Sequence, residues 1–421
     1  MKKVLWITSC FPPRVNVATK RNVKFLKYLP RFGWEAVVIC PKEISRHTKT
    51  SQQLMNQLCS AITVSPMCHD TFCYLQDRKY VHRLARYMGY FMNNIIPPDG
   101  HIFWSLLVLN RIGKEIIKYK PDIVYTTCSP FSINLIGAWI KFKYKLPWVT
   151  DFRDLWTLNP MHRRFLKSYY NLISNILERY YLRYCNALIV NTEVSQARMI
   201  EKHPFLKDKI WVIPNGFDLD DIHTNNKNSS IPNSFFYGGS IDCKSNYTPL
   251  PILKLLSKLE ENSHLNEPRE LHYAGNEGKT FIDLCNQAGI GIKYKVIIHG
   301  YLEHPSFYQL IRCMAYVMLC MPSDIDTTSW IPARLYDYMG NKCRIICLAS
   351  RDSEVVRVLE QYGNGLILFY DESEDIQIQK LQAFLVADRI DKNVSDAFIK
   401  RFSRKKLTMR LSKVFNLVTD G

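Results

Sequence analysis

The sequence lacks the short motifs of several large enzyme classes. No G-x-G-x-x-G follows a predicted strand and no G-x-x-x-x-G-K-[ST] is present, so neither a nicotinamide or flavin enzyme nor a P-loop NTPase is expected. The G-x-S-x-G elbow of the α/β-hydrolases is missing too. No window approaches the roughly 18 apolar residues of a membrane-spanning helix. The apolar stretch before Pro12 is too short for a signal peptide and predicts a first strand.

Cysteine spacings typical of disulfide frameworks or zinc sites are also missing. The 13 cysteines are odd in number and lie mostly in apolar runs, which indicates a reducing compartment. Cys59, Cys68, His69 and Cys73 come nearest to a metal cluster, but no paired C-x-x-C accompanies them. We therefore expect buried free thiols and no metal site.

Acidic residues are scarce in the first half of the chain. Up to Asp218 the sequence has 32 Lys and Arg against 14 Asp and Glu, and from Leu219 onward it has 24 of each. The net charge of +18 therefore lies on the N-terminal half and predicts a basic face for an anionic partner, either nucleic acid or a membrane surface. A nucleic-acid-binding protein would carry a known motif or basic residues in both halves, and neither is present.

Apolar strands alternate with helices along the 421 residues, and strands that are continuously apolar indicate parallel sheets covered on both faces. The length suggests two or three domains at roughly 150 residues each, and we expect two. We predict an α/β protein with a first domain at 1–217, a polar linker at 218–234, a second domain at 235–396, and a C-terminal helix at 397–421 that could cross back onto the first domain. The clearest strands are predicted at 4–8, 34–40, 122–126, 148–150, 187–191, 235–237, 271–274, 295–299, 316–321 and 344–348.

Three predicted strands of the second domain end at a glycine. The strand ends are followed by Gly239 and Ser240, by Gly275, and by Gly300 and Tyr301. Ligands bind at the carboxyl ends of strands in open parallel sheets, where backbone amides and helix N-termini can hold phosphates. One such turn is weak evidence because Gly is the default turn residue, but three in one domain raise the expectation of a phosphate site.

The segment 324–337 adds charged groups to the same domain. Pro332 suits the first turn of a helix, and Arg334 and Asp337 share one face of that turn. They could bind a diphosphate and ribose hydroxyls, or they could form an intrahelical ion pair. Asp324 and Asp326 have a D-x-D spacing that could hold Mg²⁺ or Mn²⁺, or they could lie in a solvated loop.

Charged residues also crowd the end of the predicted strand at 148–150, in the segment DFRDLW. Burying an unpaired charge between apolar elements costs free energy, so charged residues retained at such a position are candidates for a functional site. Either Asp151 and Arg153 form a structural pair, or Arg153 and Asp154 face a reacting sugar or phosphate.

With these motifs in place, the chain resembles the retaining group 1, family 4-like glycosyltransferases of the GT-B fold, which build bacterial polysaccharides. The resemblance extends over nearly the whole chain and rests on the order of its segments rather than on any single one. These are the opening strand with FPPR, PDIVYTTCSPFSINLIGAWIKFKYKLPWVTDFRDLW, VIPNGFD at 212–218, GGS at 238–240, HGYLEH at 299–304 and IPARLYDYMGNKCRII at 331–346.

The resemblance implies two facing Rossmann-like doubly wound domains with an interdomain cleft. It also implies transfer of a sugar from a nucleoside-diphosphate sugar to a glycan or lipid-linked glycan, with retention of configuration, in cell-surface polysaccharide synthesis. No metal or other cofactor is expected, because basic side chains and helix amides would stabilise the leaving diphosphate. The resemblance assigns Gly239, Ser240, Lys244, Gly300, Tyr301, Arg334 and Asp337 to the donor, Asp151, Arg153 and Asp154 to catalysis, and Arg14, Asn16 and Ser129 to the acceptor side.

Two positions depart from the family pattern. The first loop is RVNVAT instead of Gly-rich, and Ser329 stands eight residues before Asp337, where the family has a sugar-contacting Glu. Asp324 or Asp326 could replace that acid if the loop folds inward. The departure keeps open an alternative function, a non-catalytic GT-B-like scaffold that binds sugar nucleotide or glycan.

Basic residues next to aromatic ones predict where the N-terminal half would meet a membrane. Such groups suit docking on an anionic inner leaflet, where a lipid-linked acceptor would be found, although they could also be solvated helix faces with core aromatics. We therefore expect a cytoplasmic protein, peripheral on the inner face of the cell membrane. The residues are Arg78, Lys79, Arg83, Arg86, Met88, Tyr90, Phe91 and Met92, and Arg163, Arg164, Lys167, Tyr169 and Tyr170.

Overall fold

The structure is a computed structural model that describes residues 1–42, 48–70, 87, 95–159, 167–222, 230–261, 269–290, 294–387 and 394–420. The chain divides into two compact units, Met1–Pro214 with Arg404–Gly421, and Asn215–Ser403. Each unit has one parallel sheet with a hydrophobic core on either face. The predicted α/β class with two doubly wound sheets is therefore confirmed.

The sheet of the first unit has the strand order β3-β2-β1-β4-β5-β6-β7. Alternate residues of the apolar strands enter opposite cores: in β1, Leu5 and Ile7 pack on one face while Val4 and Trp6 pack on the other. The strands are β1 Lys2–Ile7, β2 Trp34–Lys42, β3 Ile62–His69, β4 Ile123–Cys128, β5 Trp148–Phe152, β6 Ala187–Val190 and β7 Ile210–Val212. The helices are α1 Val17–Tyr28, α2 Lys49–Met55, α3 Ile102–Leu109, α4 Ile112–Tyr119, α5 Ile133–Tyr144, α6 Lys167–Tyr184 and α7 Glu193–Lys202.

The sheet of the second unit has the order β10-β9-β8-β11-β12-β13. Its strands are β8 Ile231–Gly238, β9 Arg269–Ala274, β10 Tyr294–Ile298, β11 Met314–Cys320, β12 Ile345–Ala349 and β13 Gly365–Phe369. The helices are α8 Leu219–Ile222, α9 Leu250–Glu261, α10 Gly278–Gln287, α11 His304–Cys313, α12 Ala333–Gly340, α13 Glu354–Tyr362, α14 Glu374–Val386 and α15 Asp396–Arg401. The strand order changes direction between β8 and β11, so the carboxyl ends of β8 and β11 flank the switch point at which such sheets bind ligands.

The end of the chain returns to the first unit. Helix α16, Arg404–Asp420, packs against α1, and the Phe415 ring lies 5.3 Å from Trp34 and 5.4 Å from Tyr125. Helix α15 ends with Phe402 as its C-cap, and the chain passes from the second unit to the first after Ser403.

The structure differs from the predicted domain limits in two places. The predicted linker 218–234 contains α8 and the first residues of β8, because Ile231 pairs with Met314 of β11. The second unit also begins earlier, at Asn215, and ends later, at Ser403, where a bridge between Phe217 and Ser403 joins its two ends. A polar composition therefore did not mark the domain boundary here.

Candidate functional site

The glycine turns of the second unit meet at the carboxyl edge of its sheet. The Gly239 amide donates to the Ala274 carbonyl oxygen at 2.8 Å, and the Gly275 amide donates to the Gly300 carbonyl oxygen at 2.9 Å. These bonds continue the pairing of β8, β9 and β10 beyond their last residues. Three turns predicted from separate parts of the sequence thus form one backbone-lined edge.

At two of these positions neighbouring atoms lie so close to the backbone that a residue other than glycine would not fit without a shift. Gly239 has φ +105°, and a Cβ there would lie 3.1 Å from Nη1 of Arg334. A Cβ on Gly275 would lie 2.2 Å from the Tyr273 hydroxyl and 2.6 Å from the Gly239 carbonyl oxygen. Side chains at these positions would displace the groups that line the edge.

Arg334, in the first turn of α12, is held between two tyrosine rings. Its guanidinium carbon lies 4.6 Å from the Tyr237 ring centroid and 4.9 Å from that of Tyr247. It donates to the Gly238 carbonyl oxygen, to the Tyr237 hydroxyl at 3.1 Å and to the Tyr247 hydroxyl. Its Nε is buried without a hydrogen-bond partner among the described residues. The cation is fixed at the edge, as a binding site for an anion requires.

Asp337 lies one turn further along α12 and bonds elsewhere than to Arg334. The Tyr308 hydroxyl donates to its Oδ1 at 2.7 Å, and His304 Nδ1 lies 3.2 Å from that hydroxyl. Within the described residues the intrahelical ion pair with Arg334, considered as an alternative from the sequence, is not formed. Two charged side chains are thus positioned separately by aromatic hydroxyls.

Helices α10 and α12 begin at this edge without a side-chain cap. The residues before them, Glu277 and Pro332, accept no capping hydrogen bond through a side chain. The first amides of a helix are unsatisfied donors and carry the positive end of the helix dipole. Together with Arg334, they supply positive charge at the edge, where the Glu277 carboxylate also lies and accepts from the Tyr273 hydroxyl at 2.9 Å.

The other predicted donor residues line the rim. Ser240, Lys244 and Tyr301 are exposed, and Gly300 has φ +67° with no atom within 4 Å of a Cβ position. Asp242 holds the loop that carries Lys244, because its carboxylate accepts from the Lys244 amide at 3.0 Å and from Ser245 Oγ at 2.7 Å.

The D-x-D pair lies in a loop that is fixed by its own hydrogen bonds. Asp324 Oδ2 accepts from Asn246 Nδ2 at 3.1 Å, whereas Asp326 Oδ1 accepts from the Thr328 amide at 3.1 Å and its hydroxyl at 2.6 Å. Among the described residues no group of three His, Cys, Asp or Glu side chains is placed to hold a metal ion. Asn246 ties this loop to the loop that follows β8.

In the first unit Asp151 is completely buried and cannot contact a substrate in this structure. Its Oδ2 lies 3.2 Å from Arg21 Nη2 and accepts from the Tyr125 hydroxyl at 2.6 Å. Burial and the charge of Asp151 raise the pKa of Tyr125, so that its hydroxyl remains a donor. The predicted catalytic role of Asp151, and its alternative pairing with Arg153, are corrected: Asp151 is the partner of a buried arginine.

Arg153 and Asp154 are placed differently. Arg153 Nε lies 3.5 Å from Asp154 Oδ2, Arg153 is mostly covered and Asp154 is open to solvent. They follow β5 at the carboxyl edge of the first sheet, next to the β4 end, where the Arg153 amide donates to the Cys128 carbonyl oxygen at 3.4 Å. Of the three predicted catalytic residues, these two can reach a ligand.

The predicted acceptor-side residues have mixed positions. Asn16 caps α1, because its Oδ1 accepts from the Thr19 amide at 2.8 Å. Ser129 follows β4 and is partly exposed, as is Arg14 in the loop after β1. Asn16 therefore has a structural function that the sequence pattern did not show.

Sequence reasoning also missed the buried Asp99. Its Oδ2 accepts from the amides of Phe131 at 2.6 Å and Ser132 at 3.1 Å, and its Oδ1 accepts from Ser132 Oγ at 2.7 Å. The amides just before α5 are thus satisfied by a carboxylate 32 residues away along the chain. A bend-forming P-D-G segment was the only local signal.

Most of the predicted membrane residues lie outside the described part of the chain: Arg78, Lys79, Arg83, Arg86, Met88, Tyr90, Phe91, Met92, Arg163 and Arg164. Of the two tyrosines near them, Tyr169 is exposed and Tyr170 is buried. None of the helices within the described ranges has the length and apolar character needed to cross a membrane.

Comparison with known proteins agrees with these observations. Residues 20–221 match the family described as Glycosyltransferase Family 4. An uncharacterized glycosyltransferase MJ1059 of Methanocaldococcus jannaschii is 28% identical over 126 residues, 29% of this chain and 30% of that protein. The capsular polysaccharide biosynthesis glycosyltransferase CapH of Staphylococcus aureus is 24% identical over 275 residues, 64% of this chain and 66% of that protein. Both alignments therefore span less than two thirds of the relative's length.

The chain is similar in fold to a solved structure over its whole length. Sucrose-phosphate synthase of Thermosynechococcus elongatus superposes with a TM-score of 0.64 at 10% identity and covers 100% of both chains. The residues predicted to bind the donor lie beyond residue 221 and are outside the matched family region. The chain thus has the GT-B fold, and the match of residues 20–221 to Glycosyltransferase Family 4 agrees with the resemblance to group 1 glycosyltransferases.

Proposed function

We propose that the protein transfers a sugar from a nucleoside-diphosphate sugar to a glycan or lipid-linked glycan, with retention of configuration. The observation that carries the proposal is the position of Arg334. A guanidinium clamped by Tyr237 and Tyr247 stands beside Gly239, whose backbone can approach an anion closely. A diphosphate has the charge and size that this arrangement suits.

The transfer itself builds negative charge at the diphosphate. The bond between the sugar C1 and the leaving phosphate oxygen breaks, while a bond from C1 to the acceptor oxygen forms on the same face. The leaving phosphate takes the acceptor proton, so no separate base is required. Arg334 and the first amides of α12 would stabilise the leaving group electrostatically, and they are already in place before reaction.

The nucleoside would be held by the rest of the edge. Tyr308 fixes the carboxylate of Asp337, which can accept hydrogen bonds from ribose hydroxyls. Gly300 and Tyr301 follow β10 and would line the base, and Lys244 would add positive charge at the rim. Asp324, which accepts from Asn246, or Asp326, which accepts from Thr328, would replace the acid missing at Ser329.

The name of the S. aureus relative supports a function in capsule or other cell-surface polysaccharide synthesis. We propose that the protein acts in the cytoplasm, peripheral on the inner face of the membrane, where a lipid-linked acceptor would be presented. The basic first half of the chain, with 32 Lys and Arg against 14 Asp and Glu, supports this location.

A second arginine of the same unit provides a matched control for Arg334. Arg344 stacks on Tyr316 at 4.9 Å and Phe384 at 4.6 Å, but it precedes β12 and so lies at the opposite, amino edge of the sheet. We expect Arg334→Met to lower kcat/KM by about 10²–10³-fold, the usual effect of losing one preorganised charge donor. Arg344→Met should lose a similar stacking energy and leave kcat/KM nearly unchanged.

The experiment measures turnover and thermal stabilisation together. Stabilisation by one of UDP, GDP, dTDP, ADP or CMP, lost in Arg334→Met and kept in Arg344→Met, would identify the base class; at a hundred times the Kd it amounts to about 2.7 kcal/mol. Nucleotide stabilisation without turnover on any acceptor would indicate the non-catalytic scaffold that Ser329 suggests. Equal losses in the two variants would contradict the placement of the donor site.

A further inference from the structure

Helix α6 presents a continuous row of apolar side chains to solvent. Its members are separated by three or four residues, so they share one face of the helix. Each is between 39% and 62% exposed. We name them the α6 row: Tyr169, Leu172, Ile176, Tyr180 and Tyr184.

The row is not needed to attach the helix to the fold. The opposite face of α6 supplies buried residues, among them Ser174, Tyr181 and Leu182. The Tyr181 ring stacks on Trp156 with a centroid distance of 6.3 Å. A contiguous exposed apolar row on an anchored helix indicates an interaction surface.

The exposed charged residues described on α6 are of one sign. The only carboxylate of α6, Glu178, is buried on the far side, where it accepts from Lys202 at 2.9 Å and bonds His203 at 3.1 Å. Arg179 and Arg183 are exposed beside the row. Helix α6 therefore offers solvent apolar and cationic groups but no anion.

The C-terminal end of α5 extends the same surface. The Phe142 ring is exposed and lies 5.9 Å from the Tyr184 ring, and Lys145 Nζ lies 5.5 Å from Phe142. Helix α5 contains no acidic residue. Aromatic residues beside lysine and arginine are typical of segments that lie in the headgroup region of a bilayer.

We propose that the α6 row docks this protein on an anionic lipid bilayer. Leu172 and Ile176 would enter the boundary between headgroups and acyl chains, with the tyrosines at headgroup level and Arg179 and Arg183 on lipid phosphates. The inference rests on the proposed peripheral location at the membrane and identifies the surface of the protein that would contact the bilayer. A second copy of the chain fits less well, because a contact of this row with itself would bring together two helix faces whose exposed charges are both positive.

The test is binding of the purified full chain to vesicles of phosphatidylcholine, with and without one third phosphatidylglycerol. We expect Leu172→Glu/Ile176→Glu to weaken binding to the anionic vesicles by about tenfold or more, since two apolar anchors become anions. The matched control is Ile282→Glu, an exposed isoleucine of α10 in the second unit, which should bind as the unmodified chain does.

A second variant separates the charge from the apolar contact. Arg179→Gln/Arg183→Gln keeps the row intact and should weaken anionic binding by about fivefold per arginine, an effect that high salt should remove. Circular dichroism of each variant reports whether it folds. Turnover with a soluble acceptor is an independent readout, so failure of the proposed reaction and failure of docking give different results.

Three results would overturn the proposal. They are equal vesicle binding by the unmodified chain and Leu172→Glu/Ile176→Glu, equal binding to vesicles with and without phosphatidylglycerol, and a dimer in sedimentation velocity that the same variant converts to monomer. The last would identify the row as a self-association interface.

Discussion

The two parallel sheets have the same kind of strand order, but the polar groups at their carboxyl edges have different hydrogen-bonding and ion-pair partners. In the first unit, Asp151 lies inside the sheet edge with Arg21 and Tyr125 around it, and Asp99 occupies the amides before α5. In the second unit, glycines and an arginine line the edge, and α10 and α12 begin without side-chain caps. Among the described residues, uncapped helix starts lie beside a guanidinium at the second edge, whereas Arg153 and Asp154 are the predicted catalytic residues accessible at the first.

The comparison shows that strand and helix order alone does not place a nucleotide site. Both units bring strand ends and helix starts together, as open parallel sheets do. What distinguishes them is the set of groups at the edge: a buried ion pair and the Asp99 carboxylate in the first unit, and glycines with a stacked arginine in the second. The arrangement therefore favours the second unit for the donor, and Arg153, Asp154 and Ser129 are among the accessible polar groups described in the first.

The largest effect is expected at the buried pair of the first unit. Asp151→Asn would leave the Arg21 guanidinium without its anion, and removing one partner of a buried pair costs about 3–5 kcal/mol. Urea unfolding measures the loss. The double variant Arg21→Met/Asp151→Leu should recover part of it, because neither charge is then left alone. A stable Asp151→Asn protein with lost turnover would restore the catalytic interpretation.

A smaller effect is expected from Gly239→Ala at the edge of the second unit. The added Cβ meets Arg334 Nη1 at 3.1 Å and the backbone has φ +105°, so we expect about 1–3 kcal/mol of strain and about tenfold weaker donor binding. Gly363→Ala is the control, since Gly363 has φ +74° with no atom within 4 Å of a Cβ. Its stability should fall while its donor affinity, measured by titration calorimetry, should not. Equal affinity losses would contradict the site.

Predicted strands agree with the structure where the local sequence alone determines the strand. Continuously apolar runs identified β1, β4, β5 and β12 because such strands are buried on both faces. Strand β3 was not predicted, since Pro66 and polar residues interrupt it, and it lies at an edge where such residues are tolerated.

The site was predictable only in part. Glycines after strands and Arg334 after a helix-starting proline have local signals. The partners that decide their function do not: Arg21 lies 130 residues from Asp151, and Tyr247 lies 87 residues from Arg334. A charged residue at a strand end looks the same in sequence whether it is buried in an ion pair or faces a ligand.

Asn16 offers a smaller test of the first unit. As the cap of α1, its replacement in Asn16→Ala should lower the free energy of unfolding by about 1 kcal/mol. Asn16→Asp should retain most of the stability, because a carboxylate also caps. Steady-state kinetics should show an unchanged acceptor KM in Asn16→Asp; a raised KM with normal stability would return Asn16 to the acceptor site.

The smallest effect is a pH dependence in the second unit. His299 Nε2 lies 2.9 Å from His272 Nδ1, whose other nitrogen lies 3.0 Å from Glu270, and Lys295 lies 3.6 Å from that carboxylate. Burial, and then the neighbouring His272, lower the pKa of His299 below its ordinary value of 6.5. The unfolded chain therefore binds the proton first, and stability should fall as the pH drops below 6.5.

In His299→Gln this fall in stability should be shallower, while the two proteins should show the same slope above pH 7.5, where the imidazole is neutral in both states. Unfolding at a series of pH values measures the difference. An unchanged slope would show that the histidine pair, although close to the Gly300 turn, does not couple the stability of the second unit to pH.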